Sequence, residues 1–226
     1  MPVEIKYLGH SAFLITHNNH SVLIDPFLTN SPVSINELNP QDILLTHAHG
    51  DHLGDAIKIS KEKNAPITAI FELANYCSDK GVNAQGVNIG GKIPFLWGYA
   101  YWLPAAHSSS TPDGHYGGAP ASILLNIGEI SIYHAGDTGL HYDLKMIGEI
   151  YKPDIALLPI GGFYTMGINE AVTATKWLGS PTVIPMHYNT FPIIEVNPEN
   201  FKSKIESETK STCVVLKPGK THLIQK

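Results

Sequence analysis

Thr46-His47-Ala48-His49-Gly50-Asp51-His52 sets four potential metal-ligating side chains within six residues. The stretch grows out of residues 42–46 (Asp-Ile-Leu-Leu-Thr), an apolar run that reads as a buried strand. Neutral imidazole and carboxylate are the donors that zinc and other transition ions take. In an extended turn His47 and His49 point to one side. Asp51 and His52 then begin a helix and can face a second ion, and Ala48 and Gly50 let the backbone turn tightly. One ion holding all four side chains would keep no position open for water, so more than one is expected. Four strongly hydrated side chains beside a buried strand have little packing purpose.

Upstream, residues 5–8, 12–16 and 21–25 are short apolar or β-branched runs, separated by Gly9-His10 and by His17-Asn18-Asn19. Downstream, residues 54–63 read as a helix, 67–70 as a strand, and 71–80 as a second helix capped by Gly81. Residues 83–104 alternate short β-like runs with Gly and Pro, as meander strands do. Residues 108–120 are rich in Ser, Gly and Pro and read as a loop. Residues 121–127 and 130–134 form a hairpin around Gly128-Glu129. Thereafter 155–159, 169–178, 182–186, 198–205 and 213–216 fit strand, helix, strand, helix, strand. Meander strands early and strand–helix alternation later suggest two similar halves, each a sheet covered by helices on one side, although no sequence repeat marks them. No linker divides the chain, so one domain over 1–226 is expected.

The chain has 226 residues, 43% of them hydrophobic, which suffices for a sizeable core. All 15 basic residues are Lys, against 20 acidic ones, for a net charge of −5. Arg, the usual bidentate clamp for phosphate, is absent from the sequence. That absence and the acidic balance argue against a nucleic-acid surface. No apolar stretch approaches the roughly 20 residues that cross a bilayer. Met-Pro-Val-Glu-Ile-Lys is not a basic region followed by an apolar one, so no export signal is read and a cytoplasmic location without a membrane partner is expected. Cys77 and Cys213 are the only cysteines and do not suggest a disulfide framework. Histidine is the unusual count, at 12.

The His47-x-His49-x-Asp51-His52 pattern resembles the hallmark of the metallo-β-lactamase superfamily, and the resemblance extends along the chain. Asp25 stands at the end of an early strand, His107 in Ala105-Ala106-His107-Ser108, Asp137 in His134-Ala135-Gly136-Asp137-Thr138, and His187 in Ile184-Pro185-Met186-His187-Tyr188. Leu8-Gly9-His10-Ser11, Asp25-Pro26-Phe27 and Leu158-Pro159-Ile160-Gly161-Gly162 are similar to a group of small prokaryotic metal-dependent hydrolases related to ascorbate-phosphate lactonases. The resemblance implies an α/β (α+β) fold, a four-layer αββα sandwich of two facing mixed sheets flanked by helices. It implies two divalent transition-metal ions, zinc first, with Mn, Fe, Ni or Co compatible. One ion would take His47, His49 and His107, the other Asp51, His52 and His187, with Asp137 bridging and Asp25 orienting the loop or a ligand from behind. Flavodiiron members carry Glu where this chain has His49, which argues against redox di-iron chemistry.

The expected activity is hydrolysis of a small ester, lactone or phosphoester by a metal-bridging hydroxide, with Asp51 ligating and orienting the nucleophile or passing a proton. A phosphodiesterase or nuclease of the same fold, and a metal-binding or regulatory protein without catalysis, are the alternatives. The expected partner is a small-molecule substrate; the oligomeric state is not readable. His10 either looks into the pocket or lies on the surface. His134 either hydrogen-bonds behind the ligands or is a structural core residue. His115 and His141 favour the surface, as do His17, His20 and His222. Phe163, Tyr164, Met166 and Tyr188 are expected in the core before a pocket wall, and Ser108-Ser109-Ser110 resembles a flexible substrate loop.

Overall fold

Alternate residues of the early strands bury in two different places, and that alternation defines the layers. In the computed structural model, which describes residues 1–225, Val22 and Ile24 enter one apolar cluster while Leu23 between them enters another. Ile43 and Leu44 divide in the same way. Both faces of these strands are therefore covered, as the period-two geometry of a strand requires for a buried sheet.

The first sheet is built from β1 (Val3–Gly9), β2 (Ala12–His17), β3 (His20–Ile24), β4 (Asp42–Leu44), β5 (Ile67–Ile70) and β6 (Ala84–Val87). The second holds β7 (Lys92–Phe95), β8 (Gly98–Pro104), β9 (Ala121–Ile127), β10 (Ile130–His134), β11 (Ile155–Pro159), β12 (Thr182–Met186) and β13 (Thr212–Cys213), in that order. A last strand, β14 (Thr221–Ile224), returns to the first sheet and pairs antiparallel with β1. Each sheet has seven strands. In each, an antiparallel set (β14-β1-β2-β3 and β7-β8-β9-β10) continues into a parallel one (β3-β4-β5-β6 and β10-β11-β12-β13). The two halves thus repeat one topology without repeating a sequence. Strand β6, read as part of a meander, instead pairs parallel with β5 after a helical crossover.

The helices are α1 (Gly50–Leu53), α2 (Ala56–Lys63), α3 (Phe71–Asp79), α4 (Asp143–Tyr151), α5 (Ile168–Leu178) and α6 (Pro198–Glu208). Ala56 and Ile59 of α2, with Leu73 and Cys77 of α3, pack on Leu23, Ile43 and Ile67 at the outer face of the first sheet. Leu144, Ile147, Val172, Phe201 and Ile205 bring α4, α5 and α6 onto the second sheet. Between the sheets lie Ile5, Phe13, Ile24 and Leu44 against Trp102, Ile123, Leu125 and Ile132. The result is the expected αββα sandwich. Trp102 is fully buried, and its indole N–H donates to the Leu45 carbonyl at 3.1 Å, tying the two sheets together where the metal motif begins.

Burial is deepest in the central strands of each sheet. All five residues of β11 are buried, whereas Glu4 of β1 faces solvent. Strand β4 stops at Leu44, two residues short of the expected end, because Thr46 turns away to bond Asp25. The strand expected over 213–216 is confined to β13. Among the described residues no helix is long and apolar enough to cross a membrane.

Candidate metal centre

Strands β1, β3 and β4 run in one direction, and β8, β10 and β12 run in one direction in the facing sheet. Just past the C-terminal ends of these six strands come His10, Asp25, Thr46-His47, His107, Asp137 and His187. The chain leaves three of them through left-handed backbone, with φ of +52° at His10, +45° at Asp25 and +53° at His187. Such conformations cost a non-glycine residue about 1–3 kcal/mol and persist only where the surroundings enforce them. Here the His187 amide donates to the His10 carbonyl at 2.8 Å, joining the two sheet edges. Two glycines permit the close approach of the loops. A Cβ on Gly54 (φ +42°) would stand 2.7 Å from Phe27 Cα, and one on Gly136 (φ +59°) 2.9 Å from Thr46 Cβ.

The strand ends bring two groups of possible ligand atoms together, His47/His49/His107/Asp137 and His10/Asp51/His52/His187, with the atoms of each group within 4.8 Å of one another. His47 Nε2 faces His49 Nδ1 at 3.0 Å. Asp137 stands between the groups, with Oδ1 3.1 Å from His52 Nε2, and Oδ2 3.1 Å from His187 Nε2 and 3.4 Å from His107 Nε2. All seven residues expected as ligands are therefore in one place, with Asp137 in the first group and in contact with His52 and His187 of the second.

Asp25 lies behind them, completely buried. Its carboxylate accepts from the Thr46 amide (2.9 Å), the Thr46 hydroxyl (2.6 Å) and His52 Nδ1 (2.7 Å). A carboxylate has no proton to give, so His52 Nδ1 is the donor, and Nε2, which faces Asp137 and the cluster, is the nitrogen that can ligate once its proton is released. The Thr46 hydroxyl, having spent its proton on Asp25, can only accept from His47 Nδ1 at 3.0 Å. That leaves His47 Nε2 free to ligate. One buried carboxylate sets the tautomer of a histidine in each group.

Burial lowers the pKa of His47, with His52 nearby adding to it, and burial lowers His49 and His107 as well, so these rings are neutral and able to ligate. Burial would raise Asp51, but hydrogen bonds from His10 and His187 hold it well below the usual carboxylate range. Burial alone would raise Asp137 too, and His52 and His187 overcome it. Conversely, burial would depress His52 and His187, yet Asp137 raises both. Protons drawn into the middle of a buried histidine cluster by carboxylates mark a place built for cations. His52 Nε2, His187 Nε2 and Asp137 Oδ1 are buried and lack a hydrogen bond of acceptable alignment despite their 3.1 Å approaches. With imidazole nitrogens and the ionised carboxylates of Asp51 and Asp137, the residues of the two groups fit divalent transition ions.

His10 is 3% exposed, so it does not lie on the surface; it is packed behind Asp51 and does not line the cavity over the centre. Its Nε2 donates to Asp51 Oδ2 at 3.1 Å, Nδ1 accepts from the Thr190 hydroxyl at 2.9 Å, and the ring lies 4.1 Å from that of His187. Burial lowers its pKa to about 4. Both readings of His134 apply: it is fully buried, donates from Nε2 to the Ser11 carbonyl, and accepts at Nδ1 from the Gly136 amide, which fixes the turn that carries Asp137. His115 is exposed, while His141, expected at the surface, is half-buried and contacts Asp143 at 3.4 Å. Met166 is core, but Phe163 and Tyr164 are exposed. A cavity of about 540 Å³ opens over the centre, floored by His49, Asp51, His107, Asp137 and His187 and walled by Ser108, Tyr164, Phe191 and Ile193. Sequence reasoning missed the last two; their signal, apolar residues on either side of Pro192 in a loop, is weak without the fold.

A family model described as a β-lactamase superfamily domain matches residues 4–187. A UPF0173 metal-dependent hydrolase of Staphylothermus marinus is 48% identical, over 96% of this chain and 97% of that protein. One of Methanosarcina mazei is 45% identical, over 97% of both. The structure of Igni18, a metallo hydrolase from the archaeon Ignicoccus hospitalis, superposes with a TM-score of 0.93 at 38% identity, covering 100% of each chain. An isothiocyanate hydrolase from Delia radicum gut bacteria shares the fold at a TM-score of 0.77 and 18% identity, over 97% of this chain and 98% of that one.

Proposed function

The chain belongs to the metallo-β-lactamase superfamily, among the small UPF0173-like metal-dependent hydrolases, and from that premise we propose that it is a binuclear hydrolase of small ester, lactone or phosphoester substrates. The observation that carries this reading is the pair of ligand groups, with Asp137 of one against His52 and His187 of the other, at the floor of an open cavity. His47, His49 and His107 would hold one ion, Asp51, His52 and His187 the other, and Asp137 both. Zinc is the first expectation, since three imidazoles or a mixed imidazole–carboxylate set with an open position is its catalytic arrangement.

When bound, the ions supply an activated water and a Lewis acid for the oxygen that gains negative charge. The protein's part is to hold the geometry and manage the proton. Asp51 is ionised and 28% exposed at the cavity floor, so it is available as an acceptor and not as an acid. His10 steadies it: the tautomer that donates to Asp51 has no lone pair on Nε2, which makes His10 a positioning residue rather than a ligand. Among the described residues no lysine lines the cavity, which favours this reading over a nuclease.

Elemental analysis of protein purified without chelators, followed by a panel of aryl esters, lactones and aryl phosphates with Zn or Mn supplied, tests the proposal. About two transition ions per chain and turnover on one class are expected. One ion or none after reconstitution would end the binuclear reading, and two ions with no turnover on any class would leave a metal-binding protein.

Asp25→Asn separates the ligand geometry from the fold. The amide keeps an acceptor for the Thr46 N–H but offers a donor to His52 Nδ1 and the Thr46 hydroxyl, reversing both tautomers. Metal affinity is expected to fall about 10- to 100-fold, read by competition with a chelating dye, while circular dichroism still reports the folded sheet. Unchanged affinity at both sites would remove Asp25 from this role.

A further inference from the structure

The cavity has two unlike sides. Its floor is the metal-ligand set; its wall includes Phe191, Ile193 and Tyr164, which are 38%, 49% and 54% exposed. Phe163, 73% exposed, stacks edge-on against Tyr164 with ring centroids 4.8 Å apart. These are four of the twelve large apolar side chains exposed among the described residues, gathered at one rim. Clustered exposed apolar side chains beside a polar site mark a binding surface.

The wall is fixed in place. The Asn189 amide donates to the Ile194 carbonyl at 3.0 Å, and the Asn189 side chain accepts from the Val196 amide at 2.7 Å, so the loop closes on itself. Ile194 is fully buried and anchors it. The Phe191 ring rests against those of His10 (5.7 Å) and Phe27 (6.3 Å). Phe191 and Ile193 are thus held toward the cavity by the fold.

The side chains that line the cavity disfavour an anionic arm. Among the described residues no lysine lines the cavity, and the sequence has no arginine. The floor carries the ionised carboxylates of Asp51 and Asp137, so an anionic arm on a substrate would meet negative side chains and no cationic one.

Resting on the hydrolase reading above, we infer that the site selects an uncharged substrate with an apolar arm, aromatic or several methylenes long, which lies on Phe191 and Ile193 while the scissile group faces the floor. Full burial of a methylene is worth about fourfold in affinity, so a half-covered arm gains about twofold per methylene.

The reconstituted holoenzyme is tested with p-nitrophenyl acetate, butyrate and hexanoate, and with p-nitrophenyl hemisuccinate as the anionic counterpart. Calorimetric titration with acetamide and hexanamide reads the wall without turnover. Expected are a kcat/KM that rises about twofold or more per methylene, hemisuccinate at least about tenfold below butyrate, and hexanamide bound about tenfold or more tighter than acetamide. In Phe191→Ser/Ile193→Ser both length dependences flatten, whichever way the rate on acetate moves. If no ester turns over but the amide preference is present and the variant loses it, the hydrolase reading fails on esters and the apolar wall stands. A flat amide series in the unaltered protein overturns the inference. So does a variant that changes the oligomeric state in sedimentation but leaves hexanamide binding alone, which would make the rim a contact between copies.

Discussion

Asp51→Ala is expected to lower kcat/KM by about a thousandfold or more, equivalent to about 4 kcal/mol of transition-state stabilisation. The loss combines a ligand atom, a negative charge and a proton acceptor in one residue. Stability should suffer far less. Asp51 is 28% exposed, and its removal leaves only the His10 Nε2–H and one contact from His187 to find water. A cost of about 1 kcal/mol moves Tm by about 2–4 °C in a chain of this size. Asp51→Asn keeps an acceptor for His10 and should recover the small loss of stability without recovering the rate. Steady-state kinetics and thermal melts on both variants check this. Full activity in the alanine variant, on the substrate of the parent protein, would mean that Asp51 does not act in the reaction.

Removal of the ions should abolish turnover and also loosen the fold. Each proposed ion takes residues from both sheets: His47 and His49 with His107 and Asp137, and Asp51 and His52 with His187 and Asp137. Binding therefore clamps the two halves together at the edge where the strands end. An ion present at a thousandfold over its Kd stabilises by about 4 kcal/mol, or about 8–16 °C in Tm. A chelated sample should melt lower by at least that margin, and restored metal should return it. Affinity should also strengthen with pH. Asp137 raises the pKa of His52 and His187 in the ion-free protein, so both rings carry protons below those raised values and must release them to ligate. A melting temperature indifferent to chelator, in protein shown to lose its metal, would mean that the ions do not span the halves.

The strands buried on both faces were legible because their composition is local. The expected bounds of β5, β9, β10, β11 and β12 coincide with those observed, each an apolar run bracketed by a break in pattern. Helix α4 was missed although Leu144, Ile147 and Tyr151 keep helical spacing, because Gly148 interrupts a short segment whose Met146 and Ile150 face solvent. That glycine is needed where α4 meets α5, since a Cβ there would meet the Trp177 carbonyl and stand 2.7 Å from Leu178 Cα. The histidine and aspartate cluster was legible because ligand chemistry restricts residue type. The parts that support it were not. The function of Thr46 exists only once Asp25 is beside it, and His10 is decided by Asp51 and Thr190, far away in the chain. Phe163 and Tyr164 read as core by composition, but the chain turns outward after Gly161-Gly162, with φ of +53° at Phe163.

Strand β14 gives the order of assembly a direction. Residues 3–6 pair with residues 221–224, more distant in sequence than the partners of any other strand pair among the described residues. During synthesis β1 can zip to β2 and the first sheet can grow to β6, but the β1 edge stays open until β14, which follows every strand of the second sheet, has been made. An open strand edge invites pairing with another nascent copy. Glu4 and Lys6 at that edge and the short, half-exposed β14 suit a late, local closure. The segment that seals the β1 edge is thus made after the second sheet, so that edge stays unprotected while all of the second sheet is being made.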